Sequence, residues 1–269
     1  MLPSPSEYTV VAIEAALKAG ELLSKGFGTT FQIESKGLTH DIVTEYDKLS
    51  EKSIFSAIGS RFPKHTFLSE ESGASGPPSD EVLWVIDPLD GTVNFAREIP
   101  FFSVSIAATQ EGRLLSGVVY QPMTRELFIA EKGKGAYKNG KRLHVSAIKK
   151  VQKAVMATGF PYNVSENPLH CIDRFAALLK LGVPIRRLGS AALDLCYVAA
   201  GHFDAFWEVG LNPWDIAAGK LIVEEAGGKV THYDGSKHQL FPYSSLLATN
   251  GLLHNDMVEM LKGDISDAS

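Results

Sequence analysis

The five residues Val82-Leu83-Trp84-Val85-Ile86 form an uninterrupted apolar run that stops abruptly at Asp87. A short run without alternation is the pattern of a strand buried on both faces. A chain that contains one needs material on each side of a sheet, which points to a layered architecture. The run also delivers two carboxylates, Asp87 and Asp90, to the end of a buried strand. Charge in that position is costly unless something positive compensates it.

The pattern differs on either side of about residue 146. Ser4-Pro5-Ser6-Glu7 reads as a capping box with proline at the first helical position, and Val10, Ile13 and Leu17 follow at helical spacing until Gly26 and Gly28. A second helix is expected over residues 44–61, with Leu49, Ile54, Phe55 and Ile58 facing inward. Residues 29–40 between them read as a mobile loop or a short hairpin. Residues 102–109, 114–120 and 126–130 read as successive strands, with turn signals at Glu111-Gly112 and Asn139-Gly140. Beyond Ser146, strands at 154–158, 185–188, 205–207 and 229–231 alternate with helices at 168–181, 191–200 and 213–226. That alternation argues a second sheet layered with helices. The expected fold is thus α+β or α/β layered, one compact unit with subdomains at 1–145 and 146–269. The polar tail 263–269 is expected to fray.

Composition narrows the function. The 269 residues are 45% hydrophobic, and the net charge of -5 is the opposite of what a nucleic-acid groove requires. No direct nucleic-acid binding is expected. Met1-Leu2-Pro3-Ser4-Pro5 lacks the pattern of a secretory signal, and no apolar stretch is long enough for a membrane span. Cys171 and Cys196 lie in separate helical patterns and read as reduced packing residues. The expected location is cytoplasmic. The eight histidines have no metal-ligand spacing, and Gly133-Lys134-Gly135 lacks the Ser or Thr of a P-loop.

The candidate chemistry is carboxylate chemistry. In Asp87-Pro88-Leu89-Asp90-Gly91-Thr92, oxygen ligands suit a hard cation such as magnesium rather than zinc or copper. Gly91 allows close approach, and Thr92 brings a hydroxyl to the start of a short helix whose amides would hold a phosphate. The same residues also suit a purely structural turn, with Asp87 capping and Asp90 solvated. Glu70, after the strand-like Thr66-Phe67-Leu68, is either another strand-end carboxylate or part of a charged turn. Thr44 with Asp47, and Asn212-Pro213 with Asp215, fit helix caps equally well.

Taken together, these segments resemble the inositol monophosphatase family, within the magnesium-dependent, lithium-sensitive phosphatases. The resemblance rests on Trp84-Val85-Ile86-Asp87-Pro88-Leu89-Asp90-Gly91-Thr92-Val93-Asn94-Phe95 and Trp214-Asp215-Ile216-Ala217-Ala218-Gly219, with Glu225-Ala226-Gly227-Gly228 behind. Asp41-Ile42-Val43-Thr44 and Glu70-Glu71-Ser72 fall in the expected order. It implies an αβαβα sandwich and two or three Mg2+ ions. Glu70, Asp87 and the Leu89 carbonyl would hold one ion, and Asp87, Asp90 and Asp215 a second. Glu70 would share a third, more hydrated one. Asp47 and Thr92 would orient or deprotonate the attacking water, with the Gly91 and Thr92 amides on the phosphate. Gly189, Ala191 and Glu208 would line the substrate pocket with Asp90 and Asp215, and Lys36 would approach the outer metal shell.

The activity so implied is hydrolysis of a small phosphate monoester, myo-inositol 1-phosphate first, by a homodimer. Histidinol phosphate or another sugar or nucleotide phosphate is the alternative within the same class. Asn212 stands where animal members carry histidine, and Arg186 to Leu195 looks like bacterial members, which leaves the alcohol open. An alternative from another class is an interaction protein of the transcription machinery, partnered with RNA polymerase, in which catalysis is secondary.

Overall fold

Side chains alternate along each central strand, and the two sets of residues they form belong to different cores. The structure, a computed structural model, describes residues 4–35, 42–76, 81–241 and 245–262. The first part of the chain comprises α1 (Glu7–Gly26), β1 (Ile33–Ser35), β2 (Ile42–Thr44), α2 (Glu45–Arg61), β3 (Thr66–Ser69) and β4 (Gly73–Ser75). There follow β5 (Leu83–Asp90), α3 (Thr92–Ala96), β6 (Ser103–Gln110), β7 (Arg113–Gln121), β8 (Glu126–Glu131), β9 (Gly135–Lys138) and β10 (Lys141–Arg142). The remainder is β11 (Met156–Thr158), α4 (Cys171–Lys180), β12 (Ile185–Arg186), α5 (Ala191–Ala199), β13 (Ala205–Val209), α6 (Pro213–Glu225), β14 (Lys229–Thr231), β15 (Ser245–Thr249) and α7 (His254–Lys262).

The larger sheet runs β10-β9-β8-β7-β6-β5-β3-β4 and is antiparallel except where β3 lies parallel to β5. The smaller runs β12-β11-β13-β15-β14. Trp84 and Ile86 of β5, with Val104 and Ile106 of β6, pack against Val11, Ala15, Ala19 and Leu23 of α1 and Ile54 and Ile58 of α2. Val85, Ala107 and Val119 face the other way, toward Leu193 of α5 and Ile216 and Leu221 of α6. Those two helices also cover Phe206, Leu246 and Ala248 of the smaller sheet. Its opposite face, with Met156, Ala205, Trp207 and Leu247, meets Leu178 of α4 and Met257 and Leu261 of α7. The result is five layers, helix–sheet–helix–sheet–helix, as expected from the resemblance.

Several local expectations shift. The first helix is capped by Ser6 rather than Ser4: the Ser6 hydroxyl accepts from the Thr9 amide, while its own amide is held by Glu131 at 2.9 Å. That tertiary bond fixes Ser6 as the last non-helical residue. Val10, Leu17 and Leu49 are exposed, and the inward face of α1 is the alanine-rich one. Small residues there let the helix lie close to the sheet: a Cβ on Gly20 would stand 2.4 Å from the Tyr120 ring. Residues 168–170 form a separate 3-10 turn with positive φ at Leu169 and His170, so α4 begins only at Cys171. Residues 33–35 pair antiparallel with 42–44, so the pairing reaches beyond the 29–40 stretch expected to be a loop or hairpin. No helix among the described residues is long and apolar enough to cross a membrane.

Candidate active site

Strand geometry alone brings three of the expected acids to one place. Ser69 of β3 pairs with Ile86 of β5 in parallel register, so Glu70, just past the end of β3, comes to lie beside Asp87, the next residue of β5. The Glu70 amide still donates to the Ile86 carbonyl at 3.3 Å. The carboxyl ends of adjacent parallel strands form a natural crevice. Against β6, Asp87 pairs with Ser105 and Asp90 with Ser103, so that Pro88 and Leu89 together face the single residue Val104. This is a bulge, and it re-aims side chains. Ser103 and Ser105 share a face because they are two apart, so the bulge turns Asp87 and Asp90 to the same side. In a regular strand, residues three apart would point oppositely. Pro88 sits within the bulge, where a missing N–H removes no ladder bond.

The remaining acids arrive on helix N-termini. Asp47 occupies the third position of α2, Thr92 the first of α3, and Asp215 the third of α6. Asp90 Oδ2 accepts from the Ala192 amide at the start of α5 (2.9 Å), from the Ser190 hydroxyl (2.5 Å) and from the Ser103 hydroxyl (3.3 Å). Four helix N-termini, each with partial positive charge, therefore meet at one cluster of acids.

The structural and chemical readings of Asp47 turn out to be compatible. Its Oδ2 closes the capping box, accepting from the Thr44 amide (2.8 Å) and hydroxyl (2.6 Å). Its Oδ1 takes the Thr92 hydroxyl at 2.9 Å. The same hydroxyl lies 3.0 Å from the Leu89 carbonyl, so one proton is shared between two acceptors. Asp215 behaves similarly, with Oδ2 receiving the Asn212 amide at 2.6 Å.

Electrostatics ties the acids together. Asp87 is 1% exposed, and its Oδ1 accepts a local bond from the Leu89 amide (3.0 Å). Burial, then Glu70, Asp90 and Asp215, hold its carboxyl well above the usual carboxylate range. Burial, then Glu70 and Asp90, do the same for Asp215. Asp90 is pushed to about 6 by burial, against the opposing bonds from Ser190 and Ala192. Asp47 also rises to about 6, chiefly through burial. Glu70 acts on all four. Among the described residues, no three His, Cys, Asp or Glu side chains close on one point as a preformed cage. The acids stand within electrostatic range of each other.

The pocket side is also assembled. Gly91 has φ +95°, and a Cβ there would meet the Gly189 carbonyl and the Phe101 carbonyl, each at 3.1 Å. A side chain at Gly91 would therefore push the 189–191 segment away from the Asp90 turn. Asn94 fixes the same contact by donating to the carbonyls of Phe101 (2.7 Å) and Leu188 (2.8 Å). Ala191 is buried beside this joint. Glu208, near the end of β13, is pushed up to about 8 by burial and by Asp90, with the Arg187 guanidinium opposing. Gly159 makes room for it: a Cβ there would lie 2.1 Å from Glu208 Oε2. Trp207 is buried in the outer core of the smaller sheet, and Trp214 is partly buried against the central core. Lys36 lies outside the described residues. Ser190 belongs to the Gly189-Ser190-Ala191-Ala192 segment that the resemblance sets along the pocket, and its place directly before an expected helix is a usable cap signal. Ser103 and Asn94 were not singled out from sequence.

A five-layer α/β fold with a carboxylate cleft at converging strand ends and helix N-termini defines the class. The chain belongs to the inositol monophosphatase family, whose model matches residues 4–265. It is 43% identical to the Nus factor SuhB of Escherichia coli (strain K12) over 96% of this chain and 97% of that one. It is 42% identical to an inositol-1-monophosphatase of Caulobacter vibrioides, covering 93% and 99%. Among solved structures, the extragenic suppressor protein suhB from Bartonella henselae superposes with a TM-score of 0.90 at 40% identity, over 96% and 99% of the two chains.

Proposed function

We propose that this chain is a magnesium-dependent phosphatase that hydrolyses myo-inositol 1-phosphate to inositol and phosphate. The observation that carries the reading is the convergence of Glu70, Asp87, Asp90 and Asp215 beside the Thr92–Asp47 pair at four helix N-termini. An all-oxygen set of mutually repelling, largely buried acids fits a hard cation and little else. Glu70, Asp87 and the Leu89 carbonyl would hold one magnesium, and Asp87, Asp90 and Asp215 a second; Glu70 would share a third. When bound, magnesium supplies charge neutralisation at the phosphoryl oxygens and acidifies water.

The residues of the chain supply position. Hydrolysis of a phosphate monoester must be accelerated against a barrier lowered by roughly 20 kcal/mol. Thr92, its proton given to Asp47, presents a lone pair that orients the attacking water, and the Gly91 and Thr92 amides hold the phosphate at the start of α3. Water adds to phosphorus and releases one proton to solvent, the P–O bond to the alcohol breaks, and a proton from solvent completes the leaving alkoxide. Gly189, Ala191 and Glu208 would bound the space taken by the alcohol, with Glu208 meeting its hydroxyls. Phosphate release measured across myo-inositol 1-phosphate, histidinol phosphate, fructose 1,6-bisphosphate and 3'-phosphoadenosine 5'-phosphate tests the choice of alcohol. The inositol ester should give the highest kcat/KM; a tenfold preference for another ester would overturn the substrate assignment.

A second reading rests on the relatives named Nus factor SuhB, 43% identical along nearly the whole chain. On it, the protein also associates with RNA polymerase. Copurification of the polymerase with wild type and with Asp87→Asn tests it: equal recovery would separate the partnership from catalysis, and no recovery from either would remove it. We read the protein as a homodimer, supported by the exposed apolar side chains Leu169, Ile172, Leu179 and Leu181 around α4. Light scattering at twice the chain's 29.2 kDa checks this.

A further inference from the structure

Helix α2 reaches the acidic cleft at three points, and the roles above use only one of them. Asp47 holds Thr92. Three residues on, Ser50 donates to the Pro88 carbonyl at 2.7 Å, inside the bulge that separates Asp87 from Asp90. Glu51, one turn after Asp47 and hence on its face of the helix, accepts the Ser72 amide at 3.1 Å and also the Ser72 hydroxyl. Ser72 is two residues beyond Glu70. One helical face thus grips three of the four segments that bring acids or the hydroxyl to the cleft, the exception being the start of α6 with Asp215.

Glu51 is 7% exposed, whereas its helix neighbours Lys48 and Leu49 are exposed. A carboxylate withdrawn from water costs free energy that core packing does not explain. Its carboxylate accepts twice from one residue, Ser72, in the turn that follows β3. We propose that Glu51 is a positioning residue for Glu70. It clamps the Glu70-Glu71-Ser72 turn to α2, so that Glu70 stands beside Asp87 before a cation arrives. A ligand on an unclamped turn has to be ordered at the moment of binding, and that entropy is subtracted from metal affinity. Partners that orient metal ligands are commonly worth about 10–100-fold in affinity. The proposal rests on the magnesium reading above.

The test is calorimetric titration of Mg2+ alone into chelator-stripped protein, with thermal unfolding of the metal-free forms recorded in parallel. Glu51→Ala should bind Mg2+ about tenfold or more weakly. Glu51→Gln keeps an acceptor for the Ser72 amide and should recover most of the loss. In a Glu70→Gln background, adding Glu51→Ala should change nothing further, because the ligand being positioned is gone. Wild-type affinity in folded Glu51→Ala would overturn the proposal, as would an undiminished loss in the Glu70→Gln background. If Glu51→Ala does not fold, Ser72→Ala makes the same comparison with a smaller expected weakening, and unchanged affinity there would count against the clamp. A wild type that takes up no Mg2+ would overturn the magnesium reading and this proposal together; binding in the wild type with no effect of the variants would overturn this one alone.

Discussion

Glu131 and Asp87 are buried acids in the same eight-stranded sheet, and their surroundings push them in opposite directions. Burial would raise Glu131, yet Lys134, the Ser6 amide and the Thr9 hydroxyl outweigh it and hold its carboxyl below the ordinary 4.5. Its partners sit at 2.5 Å (Lys134) and 2.9 Å (Ser6 and Thr9). Around Asp87 the strongest influences after burial are three more carboxylates. A buried acid with its own cation and donors is a fastener, here joining the start of α1 to β8. A buried acid surrounded by acids is unfavourable while charged, and is relieved only by a proton or by a cation from outside. The contrast separates structural from functional carboxylates without reference to any relative.

Removing the charge should therefore have opposite consequences at the two places. Asp87→Asn should lower phosphatase turnover by at least about 10²–10³-fold, the loss typical of one electrostatic stabiliser. Its metal-free unfolding temperature should not fall, since a repelling charge has gone. A drop in metal-free stability would break the comparison. Thr92→Val removes the hydroxyl between Asp47 and Leu89 and should cost about 10²-fold in kcat, within the range for a positioned proton-transfer group. Thr92→Ser should retain most of the rate; equal rates in all three proteins would remove Thr92 from the reaction.

Glu131→Gln is the converse case. It should cost about 1–3 kcal/mol of stability, as expected for a buried network losing a charged acceptor, with kcat unchanged. Denaturant unfolding and steady-state kinetics on the same preparation check both halves. The pH dependence has a definite sign. Because the folded-state pKa of Glu131 lies below its unfolded value, its contribution is present above about 4.5 and is lost as pH falls through the folded value. Glu131→Gln should then flatten the acid limb of the stability curve; an unaltered limb would show that Glu131 is not fastened as described. The smallest effect is expected at Ser103→Ala. It removes the longest of three donors on Asp90, at 3.3 Å, and should change Mg2+ affinity by no more than a few-fold, since the Ser190 and Ala192 bonds remain.

Much of this site was legible because its residues are local in sequence. Asp87, Asp90, Gly91 and Thr92 lie in one hexapeptide, and the apolar run before them announces the buried strand. Asp47 and Asp215 carried an ambiguity between helix cap and active-site acid that sequence could not resolve, and at Asp47 the structure makes the two readings compatible: one oxygen caps while the other accepts from Thr92. What stayed hidden depends on contacts between distant segments. The bulge is defined by Ser103 and Ser105, and the donors to Asp90 come from residues 13 and 100 positions away. The cap of α1 moved to Ser6 because Glu131, 125 residues on, binds it. β15 and α7 were missed: Ser245–Thr249 is a short apolar run whose strand character comes from pairing with both β13 and β14.

The central claim is that the cleft of acids is completed by a divalent cation. Phosphate release from myo-inositol 1-phosphate, measured on chelator-stripped protein before and after Mg2+ is returned, tests it most directly. Turnover should be lost on stripping and restored by Mg2+ in the wild type, but not in Asp87→Asn. Undiminished turnover in the stripped wild type would contradict the account.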